Sequence, residues 1–304
     1  MFNKKKIVAL GLASLLLLAG CGKDSDTNDK ETKSNVTSNQ AFSEEKPLRI
    51  GEDLSKNNRT WFIVEVDGDT GAVSKDSYIK NVLTVKDKKI QNVEAHKFLT
   101  EEEAQHQLSY YKLKDLRDFK STDAFIEQNI KDNEKIWKQE IAKHTKPFTQ
   151  TQENIGYNDE EWAVYEKDEK RKRELYKTVK YLPPQFLRYR IFLDTDDSGN
   201  NVAREGIAIH ETTNEMPSAE TADQLEKYIK ELNEDESVHD DYTSYTLAVF
   251  NAFEIYDDAY AGYYLYRSGD LKGALITKTD KDNVAKIVTG LDDLDLEGAI
   301  IDQD

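Results

Sequence analysis

The chain has a single cysteine in 304 residues, and this scarcity excludes more chemistry than any motif supplies. An internal disulfide needs two cysteines, and a cysteine-ligated zinc needs at least as many. With Cys21 engaged elsewhere, a thiol nucleophile is excluded too. Histidine is nearly as scarce. His96, His106, His144, His210 and His239 form no H-x-H, H-E-x-x-H or i,i+4 pair, so zinc-hydrolase chemistry has no support. The fourteen glycines build no G-x-S-x-G elbow, no G-x-G-x-x-G turn and no phosphate loop. No cofactor and no catalytic residue is expected on these grounds. Basic side chains are the minority, 42 against 59 acidic, for a net charge of −17. Phosphate backbones are bound by clustered Lys and Arg, so this balance excludes nucleic acid as a partner and favours a cationic one.

Long apolar runs are also missing. Ile7–Leu18, broken only by Gly11 and Ser14, spans 12 residues. A helix needs roughly 20 to cross about 30 Å of hydrocarbon. Lys4, Lys5 and Lys6 precede the run and small residues follow it, the three-part pattern of a signal peptide over residues 1–20. Leu18-Ala19-Gly20-Cys21 resembles the lipobox of bacterial lipoproteins. That resemblance implies lipidation of the Cys21 thiol, cleavage before it, and a diacylated N-terminus. Two chains anchor stably where one holds only marginally, at about 0.8 kcal/mol per buried CH₂. The expected location is the outer face of the cell membrane, reached through the lipid anchor. Removing residues 1–20 takes three lysines and no acid, so the net charge moves from −17 to −20.

Residues 22–46 carry almost nothing apolar beyond Val36, Ala41 and Phe42. Such a stretch cannot offset its ordering entropy by burial. With the lipidated Cys21 it is expected to form a flexible tether (21–46) spanning roughly 25–30 Å. From Pro47 the pattern becomes that of one extracytoplasmic α+β domain, 47–304, with antiparallel sheets. It reads as β-rich over 47–114, helical and highly charged over 115–182, and β-rich again over 183–304. Trp61–Val66 is a strand, and Tyr78–Val85 with Ile90–Phe98 a hairpin turning at Lys86–Lys89. Thr100 with Glu103 makes a capping box for a helix through Tyr111. Ile126, Ile130, Trp137 and Ile141 share one face of a helix over 122–145. Residues 159–182 read as an exposed charged helix ending before Pro183-Pro184, and Ser218 as the cap of another helix. Phe186–Leu193, Gly206–His210, Tyr242–Phe250, Phe253–Tyr256, Tyr260–Tyr266 and Leu275–Thr279 are strand candidates.

Asp194, Asp196, Ser198 and Glu205 sit at positions 1, 3, 5 and 12 of a calcium-loop spacing, with Gly199 at position 6. They are the metal-ligand candidates. Both flanks read as strands, however, and Asn201 occupies the position that should be apolar, so a hairpin turn is the expected outcome. Two segments are candidate partner surfaces: the tyrosines Tyr260, Tyr264 and Tyr266, and the acids Asp292, Asp293 and Asp295 of the C-terminal acidic run. These acids are expected to be solvated.

Three stretches carry a family resemblance: Trp61-Phe62 with KDSYIKNVLTVKDKKIQ (75–91), DTDDSGNNVAREGIAI (194–209), and FEIYDDAYAGYYLY with LITKTD (253–266, 275–280). They resemble a family of uncharacterised lipoproteins of Gram-positive Firmicutes. The sequence departs from that pattern at Lys88, where a turn glycine is usual, and at Lys278, where arginine is usual. The helical middle has no counterpart, and no activity carries over. The function expected is non-catalytic binding at a Gram-positive cell surface, protective or immunity-like, with a basic extracellular protein or peptide as partner. A hydrolase using a carboxylate pair and a signal peptide released as a short pheromone are the alternatives.

Overall fold

The computed structural model describes residues 46–56, 59–99, 109–147, 149–211, 216–234, 242–281, 284 and 287–302. The expected signal peptide, Cys21, the tether up to residue 45 and the capping box at Thr100–Glu103 lie outside them.

Ten strands form one sheet. In chain order they are β1 (Thr60–Val64), β2 (Ile79–Lys86), β3 (Lys89–Glu94), β6 (Phe186–Leu187), β7 (Arg190–Thr195), β8 (Val202–His210), β9 (Tyr242–Ile255), β10 (Asp258–Arg267), β11 (Asp270–Thr279) and β12 (Ile300–Asp302). The spatial order is β12-β7-β8-β9-β10-β11-β1-β2-β3-β6. Only β12 on β7 is parallel. A second small pair joins β4 (His96–Lys97) to β5 (Ser109–Tyr110), so the helix expected to run through Tyr111 does not reach residues 109–110. Because β1 sits between β11 and β2, strands from 47–114 and 183–304 share one sheet. The sheet curls until β3 lies beside β8, where Asn92 Nδ2 donates to the His210 carbonyl at 2.9 Å.

Period-two alternation gives the sheet two apolar faces. Trp61, Ile63, Leu83, Ile191, Leu193, Ile207, Ile209, Tyr263 and Leu275 bury themselves in the larger, inner core. Leu48, Ile50 and Leu54 join that core from α1 (Ile50–Lys56) and the residues before it. Phe62, Val64, Val82, Tyr260 and Ile276 point to the other face. They are covered by a 3₁₀ turn (Leu113–Asp118) and by Phe125 and Ile126 of α2 (Thr122–Thr145). Ser121 caps α2, accepting from the Ala124 amide at 3.1 Å.

The remaining helices among the described residues are α3 (Gln152–Ile155), α4 (Asp159–Tyr176) and α5 (Ala222–Glu234). With the C-terminal half of α2, α4 and α5 enclose a small cluster of Tyr176, Leu225 and Ile229, against which Ile141, Leu175 and Val179 pack. Helix α4 stops at Tyr176, before the expected boundary. The cap of α5 is Thr221, whose hydroxyl accepts from the Gln224 amide at 3.3 Å, and not Ser218. The β2–β3 turn holds Asp87 and Lys88 at φ 51° and 57°. The left-handed pair is the reason a glycine would suit position 88.

Candidate functional site

The most unusual chemistry among the described residues lies around α1, inside the curled sheet. Two buried carboxyl groups meet there. Glu205 is 1% exposed and Asp292 is 3% exposed. Asp292 is placed by the C-terminal segment, and its carboxylate accepts from the Gly51 amide at 2.5 Å and the Glu52 amide at 2.9 Å. It therefore caps the first turn of α1 from 241 residues away in sequence, taking two of the amides that a helix start leaves unpaired. Gly51 makes that approach possible, since a Cβ there would collide with Leu296 Cδ2 and lie 2.8 Å from Asp292 Oδ2.

Glu205 comes from β8. Its Oε2 accepts from the Asp292 backbone amide at 3.0 Å, while Oε1 is buried and meets no hydrogen-bond donor. Burial, and then the neighbouring Asp292 carboxyl, push Glu205 up to about 9. A carboxyl that keeps its proton becomes a donor to its neighbour, which relieves the like-charge contact. Arg49 opposes this shift only in part, because its guanidinium is drawn to Asp293 at the surface. The hydroxyl of Tyr263 donates toward the Leu48 and Gly290 carbonyls at 2.9 and 2.8 Å, closing the same region. Burial pushes Tyr189 up to about 12, with Asp292 and Asp53 adding to the effect.

The other side of α1 is held by a second polar group. Asp53 accepts from Arg59 Nε at 3.0 Å and from Trp61 Nε1 at 3.1 Å. Arg59 also donates to the Lys278 carbonyl at 3.1 Å, tying α1 to β11 through β1. Lys278 itself points outward and pairs with Asp258 at 2.9 Å.

A hydrolytic carboxylate pair needs both groups open to a substrate and roughly 5–9.5 Å apart, with room for a sugar and a water. Glu205 and Asp292 are instead in contact, sealed in the core and engaged with backbone amides. Their arrangement supports a structural latch on α1.

The residues singled out from sequence divide sharply. Asp194, Asp196 and Ser198 lie at the β7–β8 hairpin, the turn expected there. Asp194 pairs across the ladder with Arg204 at 3.2 Å. Asp196 accepts from the Ser198 amide and hydroxyl and from Asn201 Nδ2, and these bonds lower it to about 2. Glu205, next in sequence to Arg204, points to the opposite face of β8, so the four candidates do not converge. Among the described residues no group of three His, Cys, Asp or Glu is placed to hold a metal ion.

The proposed partner surface is corrected in part. Tyr260 is 1% exposed and stacks on Phe253, so it belongs to the core. Tyr264 and Tyr266 are half-buried, Tyr264 against Phe250 at 4.8 Å. Asp292 is the buried cap described above, whereas Asp293 and Asp295 are exposed as expected. Sequence reasoning missed Asp53, Arg59 and the inward role of Glu205. A signal was present for the last: Glu205 is in phase with Ile207 and Ile209, so alternation alone puts it inside.

Comparison with protein-family models, with curated proteins and with solved structures finds no match to this chain.

Proposed function

We propose that the chain is a lipid-anchored, extracytoplasmic binding protein of a Gram-positive bacterium, held at the outer face of the membrane through Cys21, with a cationic protein or peptide as its partner. Its likeness to Firmicutes lipoproteins is part of this proposal. The reading rests on one observation above the others. The inward acids that hydrolysis would need are consumed in fastening α1, so the groups open to solvent are surfaces for contact. The segment that follows the tether enters the core within a few residues, since Leu48 and Ile50 are both fully buried.

Replacing Cys21 by Ser tests the anchor. The expected outcome is uncleaved precursor or release to the medium, with no incorporation of a fatty-acid analogue. A Cys21→Ser chain that is still labelled and still membrane-bound would overturn it. Crosslinking capture from intact cells tests the binding part, and the captured partner should be basic.

A further inference from the structure

Strand β9 is paired along both sides for only part of its length. Tyr242–Leu247 lie between β8 and β10, and the β8 ladder ends at Glu205 opposite Leu247. Strand β8 itself runs back to Val202, so the two strands part at that point. From Ala248 to Ile255, β9 pairs with β10 alone, and among the described residues no strand lies along its other side. The amides and carbonyls of that side are left to solvent. Side-chain exposure agrees: Val249 is 46% exposed, and Asn251 and Glu254 are exposed as well. Free edges are commonly blunted by lysine, proline or a bulge. This segment, AVFNAFEI, has neither lysine nor proline, only the single acid Glu254 and a bulge at Asn251 and Ala252.

The bulge decides which side chains share a face. Ala248 and Phe250 pair with Tyr264 and Gly262, while Phe253 and Ile255 pair with Tyr260 and Asp258. All four therefore lie on the outer face. Phe250 lies 4.8 Å from Tyr264, Phe253 lies 5.7 Å from Tyr260, and the two Phe rings are 5.7 Å apart. An aromatic row thus follows the free edge. This outer set is symmetric about the point between Asn251 and Ala252. Turned end for end about that point, Ala248 lands on Ile255, Phe250 on Phe253 and Val249 on Glu254. Each outer residue meets an outer residue, and no acid meets an acid. The edge is complementary to itself.

We propose that Ala248–Ile255 is the docking edge for a second copy of this chain, which adds its own β9 antiparallel about a two-fold axis between Asn251 and Ala252. Main-chain hydrogen bonds join the two sheets into one, and cross-strand pairs of Phe250 with the partner's Phe253 set the register. This pairing does not depend on a basic partner. Each copy carries the same net charge of −17, so repulsion opposes association and salt should strengthen it, the reverse of what a basic partner would show.

The test uses the full chain carrying Cys21→Ser, so that an introduced cysteine is the only one. Chains with Val249→Cys are mixed with chains with Glu254→Cys and oxidised with copper phenanthroline. In the proposed register the two positions are directly opposite, with Cα atoms about 4.5–5.5 Å apart, within disulfide reach. Linked dimer should form in the mixture and be at least tenfold scarcer for either variant alone, whose cysteines would lie roughly 17 Å apart along the strands. Both positions are exposed, so neither substitution disturbs the core. Sedimentation velocity of the chain without these cysteines should show a dimer fraction that rises with salt. Val249→Glu sets acids opposite each other and should weaken the dimer about fivefold, and adding Glu254→Lys should restore it. Equal crosslinking by the mixture and by each variant alone would overturn the register. A chain that sediments as a monomer at every salt concentration would overturn the pairing itself. Neither result would touch the Cys21 anchor or the capture of a basic partner.

Discussion

The curled sheet and the helical arm of α4, α5 and the end of α2 are built by different physics. The sheet buries large side chains on both faces, and α1 fills its inner core. The arm's apolar cluster has only Tyr176, Leu225 and Ile229 at its centre, and much of its polar joinery is at the surface. Arg171 reaches both Asp223 and Glu226, Asp168 accepts from the Ala222 amide at 3.0 Å, and Lys172 pairs with Glu169. Exposed ion pairs contribute about 0–1 kcal/mol each and weaken with salt. The sheet should therefore behave as the cooperative unit, and the arm as a region that opens locally at lower free energy.

Four tests break or sharpen that contrast. Asp292→Ala should have the largest effect. It leaves the buried Gly51 amide and the part-buried Glu52 amide unpaired, at about 1–3 kcal/mol for a buried group, and should lower Tm by on the order of 10 °C. Asp293→Ala and Asp295→Ala, its neighbours in the same acidic run, should stay within about 0.5 kcal/mol. Thermal melts of the three side by side check this, and equal effects would refute the burial-based distinction. Leu225→Ala comes second. Its cavity should cost about 2–5 kcal/mol, confined to the arm. Hydrogen exchange should show lost protection in α4 and α5 while β1, β10 and β11 keep theirs. Loss of protection in both would mean that arm and sheet unfold together.

Glu205→Gln is third and has the opposite sign. The folded state raises the Glu205 pKa from its ordinary 4.5 to about 9, so between these values the folded chain holds a proton that the unfolded chain has released. Stability from this group is therefore greatest below the unfolded pKa and falls as pH rises, by up to about 1.4 kcal/mol per pH unit. The Gln variant, neutral at every pH, should melt higher than wild type at pH 8 and approach it near pH 5. A lower melting temperature at pH 8 would count against a retained proton. The smallest effect is expected for Lys88→Gly. It removes a side chain at φ 57° and gives up only an exposed pair with Glu297, for a gain of about 0.5–1 kcal/mol. Urea melts resolve this, and no gain would show that the turn is unstrained.

The sheet was legible because its strands advertise themselves. Trp61–Val64, Tyr242–Ile255 and Asp258–Arg267 are rich in aromatic and β-branched residues, and turn residues punctuate them. Helix α2 was legible in extent and in its apolar face: Ile126 is buried, Ile130 packs on the outer core, Trp137 on Tyr181 and Ile141 on the small cluster. Hidden from apolar spacing were the buried polar residues Asn129, Asp132 and Asn133 beside Phe125. Polar partners decide that face: Asp132 accepts from the Tyr111 hydroxyl at 2.8 Å, and Asn133 Nδ2 donates to the Glu94 carbonyl at 2.9 Å. Local patterns cannot anticipate bonds to residues twenty or forty positions away. The latch on α1 was hidden for the same reason. Asp292 in a run of acids looks solvated until Gly51, at the other end of the chain, is brought against it.

The pairing of Leu48 with Thr289, with the Leu48 amide bonded to the Val288 carbonyl and the Gly290 amide to Leu48, joins the first described residues to nearly the last. A polypeptide emerges from the ribosome N-terminus first, at about 5–20 residues per second. Leu48, Ile50 and Leu54 must then wait on the order of ten seconds or more for their partners, with an incomplete sheet and several leucine and isoleucine side chains open to whatever is nearby. Removing residues 290–302 would leave Val288 and Thr289 beside Leu48 but take away Leu294 and Leu296 from the inner core and Asp292 from the first turn of α1, so that core would stay open on one side.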